Sequence, residues 1–335
     1  MKKSLVALAV LAASGAAMAQ STVTLYGLVD TYLASVNTDN GLPNGSLTQT
    51  VLNSGAVNGS RWGLKGSEDL GGGLKANFQL ESGFANDTGA SGQGGLLFGR
   101  HAWVGFSGGF GAVKFGRIPT AYDDIATSGT AVFASALSPT QNIHRTELNY
   151  TVRTNNTIKY ETANYSGFSA ALGYALGENK TATVGAGSTT SLNLAYAGGP
   201  LSVALGYQTE KANGNAVDVN FTRLNGSYAF GAATVKAGWG KAGNVGAVNG
   251  ADATEYTIGL DYKTSPALTL SAGYARSSDN ITAGDFTRSG FGLGAAYTLS
   301  KRTFLYGGYE ADTTTKTGVA DTKHSVLAVG VQHRF

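Results

Sequence analysis

Hydrophobic residues occupy every second position in stretch after stretch of this sequence, and this alternation restricts its fold more than any other feature. Successive residues of a β-strand point to opposite faces, so each such stretch has one apolar and one polar face. Between residues 74 and 84 the apolar residues have even numbers, while Lys75 and Glu81 both have odd numbers. Similar apolar rows later in the chain close on Tyr196, Tyr207, Tyr262, Tyr274 and Tyr297. The pattern predicts many strands, each with one apolar face and one polar, water-exposed face.

The strands are expected to close into a membrane-spanning barrel. Tyrosine at the end of an apolar row suits a membrane interface. Tight connections, such as residues 70–73 and 263–266, alternate with longer polar ones, such as 35–59 and 311–322. We count 16 strands, and an even number with short turns on one side is typical of outer-membrane barrels. The predicted fold is therefore all-β, a 16-stranded antiparallel transmembrane β-barrel. The alternatives are a secreted β-sandwich, whose apolar faces would have to meet in one core, and a β-solenoid, for which no fixed-length repeat is found.

The N-terminus has the features of an export signal. Met1-Lys2-Lys3 precedes a short apolar run and the small-residue pattern Ala17-Met18-Ala19, so residues 1–19 are expected to be a signal peptide and the mature chain to begin at Gln20. No apolar run reaches the roughly 20 residues of a transmembrane helix. The barrel domain is expected to span residues 20–335.

Charge and cysteine content exclude several functions. The sequence has 24 Lys and Arg against 21 acidic residues and no cysteine, and loss of Lys2 and Lys3 with the signal leaves a net charge of +1. A charge this small predicts no attraction to nucleic acid. Without cysteine there is neither a disulfide framework nor a thiolate metal site. We expect no cofactor.

Residues 118–152 stand out where a short loop is expected. This segment, called the constriction segment below, has 35 residues, whereas most connections have about 4 to 6. It contains Tyr122-Asp123-Asp124 and a run of small residues from Ile125 to Leu137 that allows a helical turn or two. A segment of this length must lie against or inside the barrel, and we expect it to fold into the lumen.

Several motifs, in order along the whole chain, resemble the general porins of Gram-negative outer membranes, in particular their β-proteobacterial branch. They are Val23-Thr24-Leu25-Tyr26-Gly27, Ser60-Arg61-Trp62-Gly63-Leu64-Lys65-Gly66, Glu68-Asp69-Leu70-Gly71-Gly72-Gly73-Leu74-Lys75-Ala76, Leu97-Phe98-Gly99-Arg100-His101-Ala102, Phe115-Gly116-Arg117 and Val329-Gly330-Val331-Gln332-His333-Arg334-Phe335. The resemblance implies a homotrimer of 16-stranded barrels in contact with outer-membrane lipid and lipopolysaccharide. It also implies that the third loop, which by its order in the chain is the constriction segment, folds inward and narrows each pore.

In that family, arginines of the barrel wall face acidic groups of the third loop. Matched motif by motif, the resemblance places the wall arginines at Arg61, Arg100 and Arg153, the last through the residues that follow it. The alternation directs Lys75 to the lumen as well. Arg117 is a fourth arginine that we assign to the wall of the pore constriction. With Arg100 directed inward, His101 and Trp103 would face lipid.

The loop side of the constriction is assigned from the segment itself. It lacks the Pro-Glu-Phe-Gly motif of the enteric relatives, so its evident polar candidates are Tyr122, Asp123 and Asp124, and the motif does not decide which carboxylates line the pore. Basic residues outnumber nearby acids along the wall. Rings of like charge select ions, so we expect passive transport of inorganic ions and small hydrophilic solutes with a preference for anions.

Other functions remain open on the same fold. A substrate-specific channel for small anionic solutes or sugars would share every feature above, and loops rich in Gly, Asn and Thr would also suit adhesion or signalling. Gly105-Phe106-Ser107-Gly108-Gly109 matches the G-x-S-x-G motif of hydrolases, but that motif needs a strand-to-helix turn and here it falls in a glycine-rich hairpin. We therefore do not expect an enzyme.

Overall fold

The computed structural model describes residues 22–214, 217–281 and 285–335. The expected signal peptide, residues 1–19, and its cleavage before Gln20 lie outside the described residues. The described chain forms 17 strand segments. They are β1 (Thr22–Asp39), β2 (Ser46–Ser54), β3 (Arg61–Gly71), β4 (Leu74–Gly83), β5 (His101–Gly108), β6 (Gly111–Pro119), β7 (Arg153–Glu161), β8 (Phe168–Leu176), β9 (Ser188–Gly198), β10 (Leu201–Lys211), β11 (Val219–Phe230), β12 (Ala233–Gly243), β13 (Ala253–Lys263), β14 (Leu268–Asp279), β15 (Phe286–Thr298), β16 (Thr303–Lys316) and β17 (Val319–Arg334).

The segments close into a ring of 16 positions. On one side β1 pairs antiparallel with β17, from Leu28 opposite Arg334 to Asp39 opposite Lys323. On its other side β1 pairs first with β3 and then with β2, so these two segments together fill a single position. Every other strand pairs with its neighbours along the chain. The predicted 16-stranded antiparallel barrel is confirmed, and closure leaves no free edge.

Two connections that the sequence analysis assigned as long loops are largely strand. β1 and β2 extend through most of residues 35–59 and leave only 40–45 between them, and β16 and β17 extend through 311–322 up to the turn at Thr317 and Gly318. These strand ends are neighbours in the ring, so each completes the other's hydrogen bonds. The prediction failed because these strand ends are mostly polar, and their few apolar residues, such as Leu47 and Leu52 of β2, do not keep to one face.

The two faces of the wall differ as the alternation predicts. Ile258 and Leu293 are more than half exposed, whereas Glu255 and Ser271, on the opposite face, are buried. The exposed apolar rows cover the outside of the barrel, where lipid would replace water. The polar face is the inner one.

The constriction segment connects β6 to β7. Ile118 and Pro119 end β6, and between Thr120 and Val152 the segment has short 3-10 turns at Asp123–Ile125 and Val132–Ala134 and the helices α1 (Pro139–Ile143) and α2 (Arg145–Leu148). Pro139 begins α1 at a position where proline is favoured. No helix in the described ranges is long and apolar enough to cross a membrane.

Contacts around the ring place the constriction segment inside the barrel. The backbone N–H of Val132 donates to the Ser271 hydroxyl of β14 (2.8 Å), while the N–H of Ala136 donates to the carbonyl of Ala56, between β2 and β3 (2.8 Å). A segment that reaches such separate strands of a closed ring must cross its interior.

Two small hydrophobic clusters fix the segment against the wall. The first joins Ala131, Val132 and Leu137 of the segment to the inner faces of β1 and β17; the second joins Tyr122 and Tyr150 to β11, β12 and β13. Both are local, because most of the apolar surface of this chain faces outward. Polar contacts therefore decide much of the segment's position.

Candidate functional site

Strand register brings three predicted wall arginines to one level of the barrel. Arg61, at the start of β3, lies opposite Gly83 of β4. The backbone N–H of Arg100 donates to the carbonyl of Glu81 (3.1 Å), which precedes Gly83 by two residues on the same strand. Arg153 begins β7 opposite the end of β6. The charges of Arg100 and Arg153 both act on Arg61. We call Arg61, Arg100 and Arg153 the arginine belt.

The members of the belt differ in their partners. The Nε of Arg100 lies 2.6 Å from Oε1 of the buried Glu81, whose other oxygen accepts a hydrogen bond from the Tyr26 hydroxyl (2.8 Å). Among the described residues, no carboxylate lies within 4.0 Å of the guanidinium nitrogens of Arg61 or Arg153. Two of the three positive charges are therefore not neutralised by a direct ion pair.

Arg117 lies at the edge of the belt. It occupies the irregularity in the β6–β7 pairing, where its side chain donates to the Gly99 carbonyl (2.7 Å) and to the Asn155 side chain (2.7 Å). Its charge acts on Arg153. Arg117 thus adds to the positive field without a carboxylate partner within 4.0 Å among the described residues.

The structure does not bring Lys75 to this group. Lys75 pairs with Asp69, near the Gly71–Gly73 turn, whereas Arg61 pairs with Gly83. The eight residue steps from Arg61 to Asp69 correspond to about 26 Å along the strand. Lys75 lies toward the opposite end of the pore lining.

The expectation that His101 and Trp103 face lipid is wrong. Both pair with inward-facing residues of β4, Glu81 and Gln79, and the neighbouring Val104 is the exposed residue. Arg100 precedes the first residue of β5, so its inward side chain carries no information about the alternation within the strand.

The predicted residues of the constriction segment have three different environments. Tyr122 is fully buried against the wall. Asp123 accepts a hydrogen bond from the Tyr150 hydroxyl, and its charge acts on Arg153. Asp124 forms an ion pair with Lys159 of β7 (2.7 Å). Of these, Asp123 is the carboxylate whose charge acts on a member of the arginine belt.

Asp124 has an altered acidity. Burial raises the pKa of this carboxyl to about 6, and the charge of Lys159 opposes the rise. An exposed aspartate has a pKa of about 3.9 and is therefore already ionised at pH 5. Lowering the pH from neutral to 5 therefore removes a negative charge from the constriction segment.

Residues that hold the segment in place were not found from the sequence. The guanidinium of Arg223, buried on the inner face of β11, lies 2.9 Å from the Glu147 carboxylate and 3.9 Å from the centre of the Tyr122 ring. The Glu255 carboxylate accepts hydrogen bonds from the backbone and hydroxyl of Thr146 (3.0 and 2.6 Å). The inward parity of Arg223 and Glu255 in their strands could have indicated that both face the lumen. The sequence does not indicate which residues of the constriction segment they contact.

The arrangement can bias ions by electrostatics alone. Segment carboxylates are engaged by Lys159, Arg223 and Tyr150, while Arg61 and Arg153 have no such partner. An anion about 5 Å from one guanidinium gains about 0.8 kcal/mol even at the dielectric constant of water. Residues that could together ligate a metal lie elsewhere, on β16 and β17.

Comparisons with known proteins agree with this architecture. The family model described as Gram-negative porin matches residues 4–317. Outer membrane porin protein 32 of Delftia acidovorans is 37% identical over 363 residues, covering 100% of both chains, in keeping with the β-proteobacterial branch.

Solved structures give the same result. The anion-selective porin from Comamonas acidovorans superposes with a TM-score of 0.79 at 29% identity, covering 94% of this chain and 100% of that one. The trimer form of OmpT from Vibrio cholerae shares the fold, with a TM-score of 0.68 at 18% identity over 94% and 99% of the two chains. Sequence, strand number and closure together establish that this chain belongs to the Gram-negative porin family.

Proposed function

We propose that this outer-membrane barrel is a general diffusion pore that lets inorganic ions and small hydrophilic solutes pass, with a preference for anions. The observation that carries the proposal is the imbalance of pairing at the constriction. Arg61 and Arg153 have no carboxylate within 4.0 Å among the described residues, while two of the three acids in the segment's turns and helices, Asp124 and Glu147, are paired with the wall cations Lys159 and Arg223. The anion selectivity named for the Comamonas porin supports the same sign.

The residues proposed for this role are Arg61, Arg100 and Arg153, with Arg117 at the edge and Asp123 facing them. Lys75 is left out because of its distance along the strand. Tyr122 is assigned to anchoring, and Asp124 to modulating the charge through its pair with Lys159.

The test is the zero-current potential of the purified, folded protein in a planar bilayer under a KCl gradient. We expect a potential of the sign that indicates chloride preference, decreasing as the salt is raised, because the Debye length shrinks from about 10 Å at 0.1 M to about 3 Å at 1 M. Preference for potassium at low salt would overturn the proposal.

A substrate-specific channel for small anionic solutes or sugars is the second candidate. It is favoured by two lysine–aromatic pairs of the pore lining, Lys65 over Tyr26 (5.2 Å) and Lys114 over Trp103 (5.0 Å). Such a channel would show saturable block of the ion current by one solute at low concentration. A general pore would show none.

The remaining features follow from family membership. Family relatives form trimers, and we infer the same for this protein, with outer-membrane lipid and lipopolysaccharide around the trimer. We further infer that residues 1–19 are removed on export and that residues 20–335 act as one domain without catalytic activity, cofactor or nucleic-acid partner. Native mass spectrometry of the protein purified from outer membranes tests both the mass of the mature chain and the number of copies.

A further inference from the structure

Three potential metal ligands meet on the inner face of the β16–β17 pair, away from the arginine belt. Asp312 of β16 lies directly opposite His324 of β17, and Glu310 lies two residues from Asp312 on the same face. The Nδ1 atom of His324 is 3.1 Å from Oδ2 of Asp312 and 3.7 Å from Oε2 of Glu310. One ligand atom from each residue falls within 4.8 Å of the other two.

Glu310 distinguishes this group from an ordinary exposed acidic cluster. Its exposed fraction is 0%, and neither carboxylate oxygen accepts a hydrogen bond from the described residues. The helix α1 covers this part of β16 and brings the Asn142 amide near the carboxylate. A buried carboxylate without hydrogen bonds is costly unless a cation compensates it. Among the described residues, the basic group within 4.0 Å of this carboxylate is the imidazole of His324, 3.7 Å away.

We propose that Glu310, Asp312 and His324 bind a first-row divalent transition metal ion such as Zn²⁺. Ligand atoms around one tetrahedral Zn²⁺, each about 2.0–2.1 Å from it, lie about 3.3 Å apart, and the two nitrogen–oxygen distances here bracket that value. One imidazole nitrogen and two carboxylates suit Zn²⁺ and its neighbours better than Ca²⁺, which takes oxygen ligands only. Further coordination positions are open to water.

The proposal fits the charges of the site. Metal binding requires a neutral imidazole, so the His324 proton is released, and two carboxylates then balance the dication. The metal would link neighbouring strands at the point where α1 packs on the wall, and so stabilise the seat of the constriction segment. This site does not depend on the direction of ion selectivity.

Isothermal titration of Zn²⁺ into the chelator-treated, folded porin tests the proposal. We expect one saturable site per chain, an affinity at least tenfold lower in His324→Ala, and an unchanged affinity in His333→Ala. His333 is a matched control because it lies on the same strand but is exposed, with its Nδ1 bonded to Thr303. Equal affinities in the two histidine variants, or no saturable binding, would overturn the proposal.

A second variant separates a metal site from a simple ion-pair cluster. Glu310→Gln removes a buried charge, so the metal-free barrel should fold at least as well as the wild type while its Zn²⁺ affinity falls at least tenfold. Added Zn²⁺ should raise the unfolding temperature of the wild type and not that of this variant. If Zn²⁺ shifts both equally, the metal binds elsewhere and the proposal fails.

Discussion

The buried ion pair between Arg223 and Glu147 should respond unequally to removal of its two partners. Arg223 projects from the inner face of β11 and is fully surrounded by the constriction segment, with its guanidinium 2.9 Å from the Glu147 carboxylate and 3.9 Å from the centre of the Tyr122 ring. Both side chains are nearly inaccessible to solvent. Either single substitution therefore leaves the other group buried without its ionic partner.

The cost depends on whether the remaining group can become neutral. In Glu147→Gln the guanidinium stays charged, because arginine does not lose its proton in proteins. Leaving one charge of a buried pair uncompensated costs about 3–5 kcal/mol. This free energy acts against the docked constriction segment, so we expect a large loss of stability and noisy, enlarged single-channel currents.

In Arg223→Met the remaining carboxyl can take up a proton. Burial raises the pKa of Glu147 to about 7 even though Arg223 opposes the rise, so removal of the arginine raises the pKa further. At neutral pH the acid is then mostly protonated, and the Gln141 amide is 3.3 Å from one of its oxygens. The cost should fall to that of a poorly satisfied polar group, about 1–3 kcal/mol.

The pH dependence follows from the direction of the shift. A carboxyl whose folded pKa lies above its unfolded value favours the folded state at low pH and loses that contribution as the pH rises through the folded pKa. Arg223→Met should thus be more stable relative to wild type at pH 5 than at pH 8, and Glu147→Gln should lack this gain.

Urea unfolding of the folded barrels in detergent micelles, at the two pH values, measures these differences. Single-channel recordings in planar bilayers report the docking of the segment directly. The double substitution Glu147→Leu with Arg223→Met is the control, because replacing a buried pair by apolar residues is often neutral. Equal losses in the two single variants, with the same pH dependence, would refute the reasoning.

Three further predictions concern the pore. Arg153→Gln should lower the chloride-to-potassium permeability ratio about fivefold at 0.1 M KCl and less than twofold at 1 M, because a screened interaction of about 0.5 kcal/mol is lost for each ion at low salt; an equal change at both salts would contradict it. Lowering the pH from neutral to 5 should increase anion preference as Asp124 is protonated, and Asp124→Asn should reduce the effect in the same zero-current measurement, leaving the part that comes from Glu147, whose pKa is about 7. Gly292→Ala should displace the segment and alter the conductance, since a Cβ there would lie 2.3 Å from the Leu137 carbonyl, whereas Gly109→Ala meets nothing within 4 Å and should conduct normally.

The fold was predictable because one period-2 signal runs through nearly every strand. The signal is strong where the outward face meets lipid, as between residues 74 and 84, since a membrane-facing row must be continuously apolar. It disappears where strands extend beyond the membrane. Residues 46–54 and 311–316 are mostly polar and have no continuous apolar row on either face, and pairing with their neighbours in the ring makes them strands.

Part of the site followed from the same signal and part from the resemblance. Arg61 lies on the polar parity of β3, and the motif match groups it with Arg100 and Arg153, whose charges act on it in the structure. Lys75 has the right parity too, yet it lies at the other end of the strand pair. Alternation gives the face of a residue, whereas its height in the pore depends on register, which the sequence does not display.

The partners of the acidic side chains on the constriction segment could not be predicted from the sequence for a different reason. A count of charges near the pore treats Asp123, Asp124 and Glu147 as equal opponents of the arginines. In the structure each has a different partner. Lys159 pairs with Asp124 and Arg223 pairs with Glu147, whereas the charge of Asp123 acts on Arg153 of the arginine belt. These partners are 35 to 76 residues away along the chain. We therefore expect selectivity in this barrel to depend less on how many charges the segment carries than on which wall residues neutralise them, and that pairing exists only once the segment has folded into the lumen.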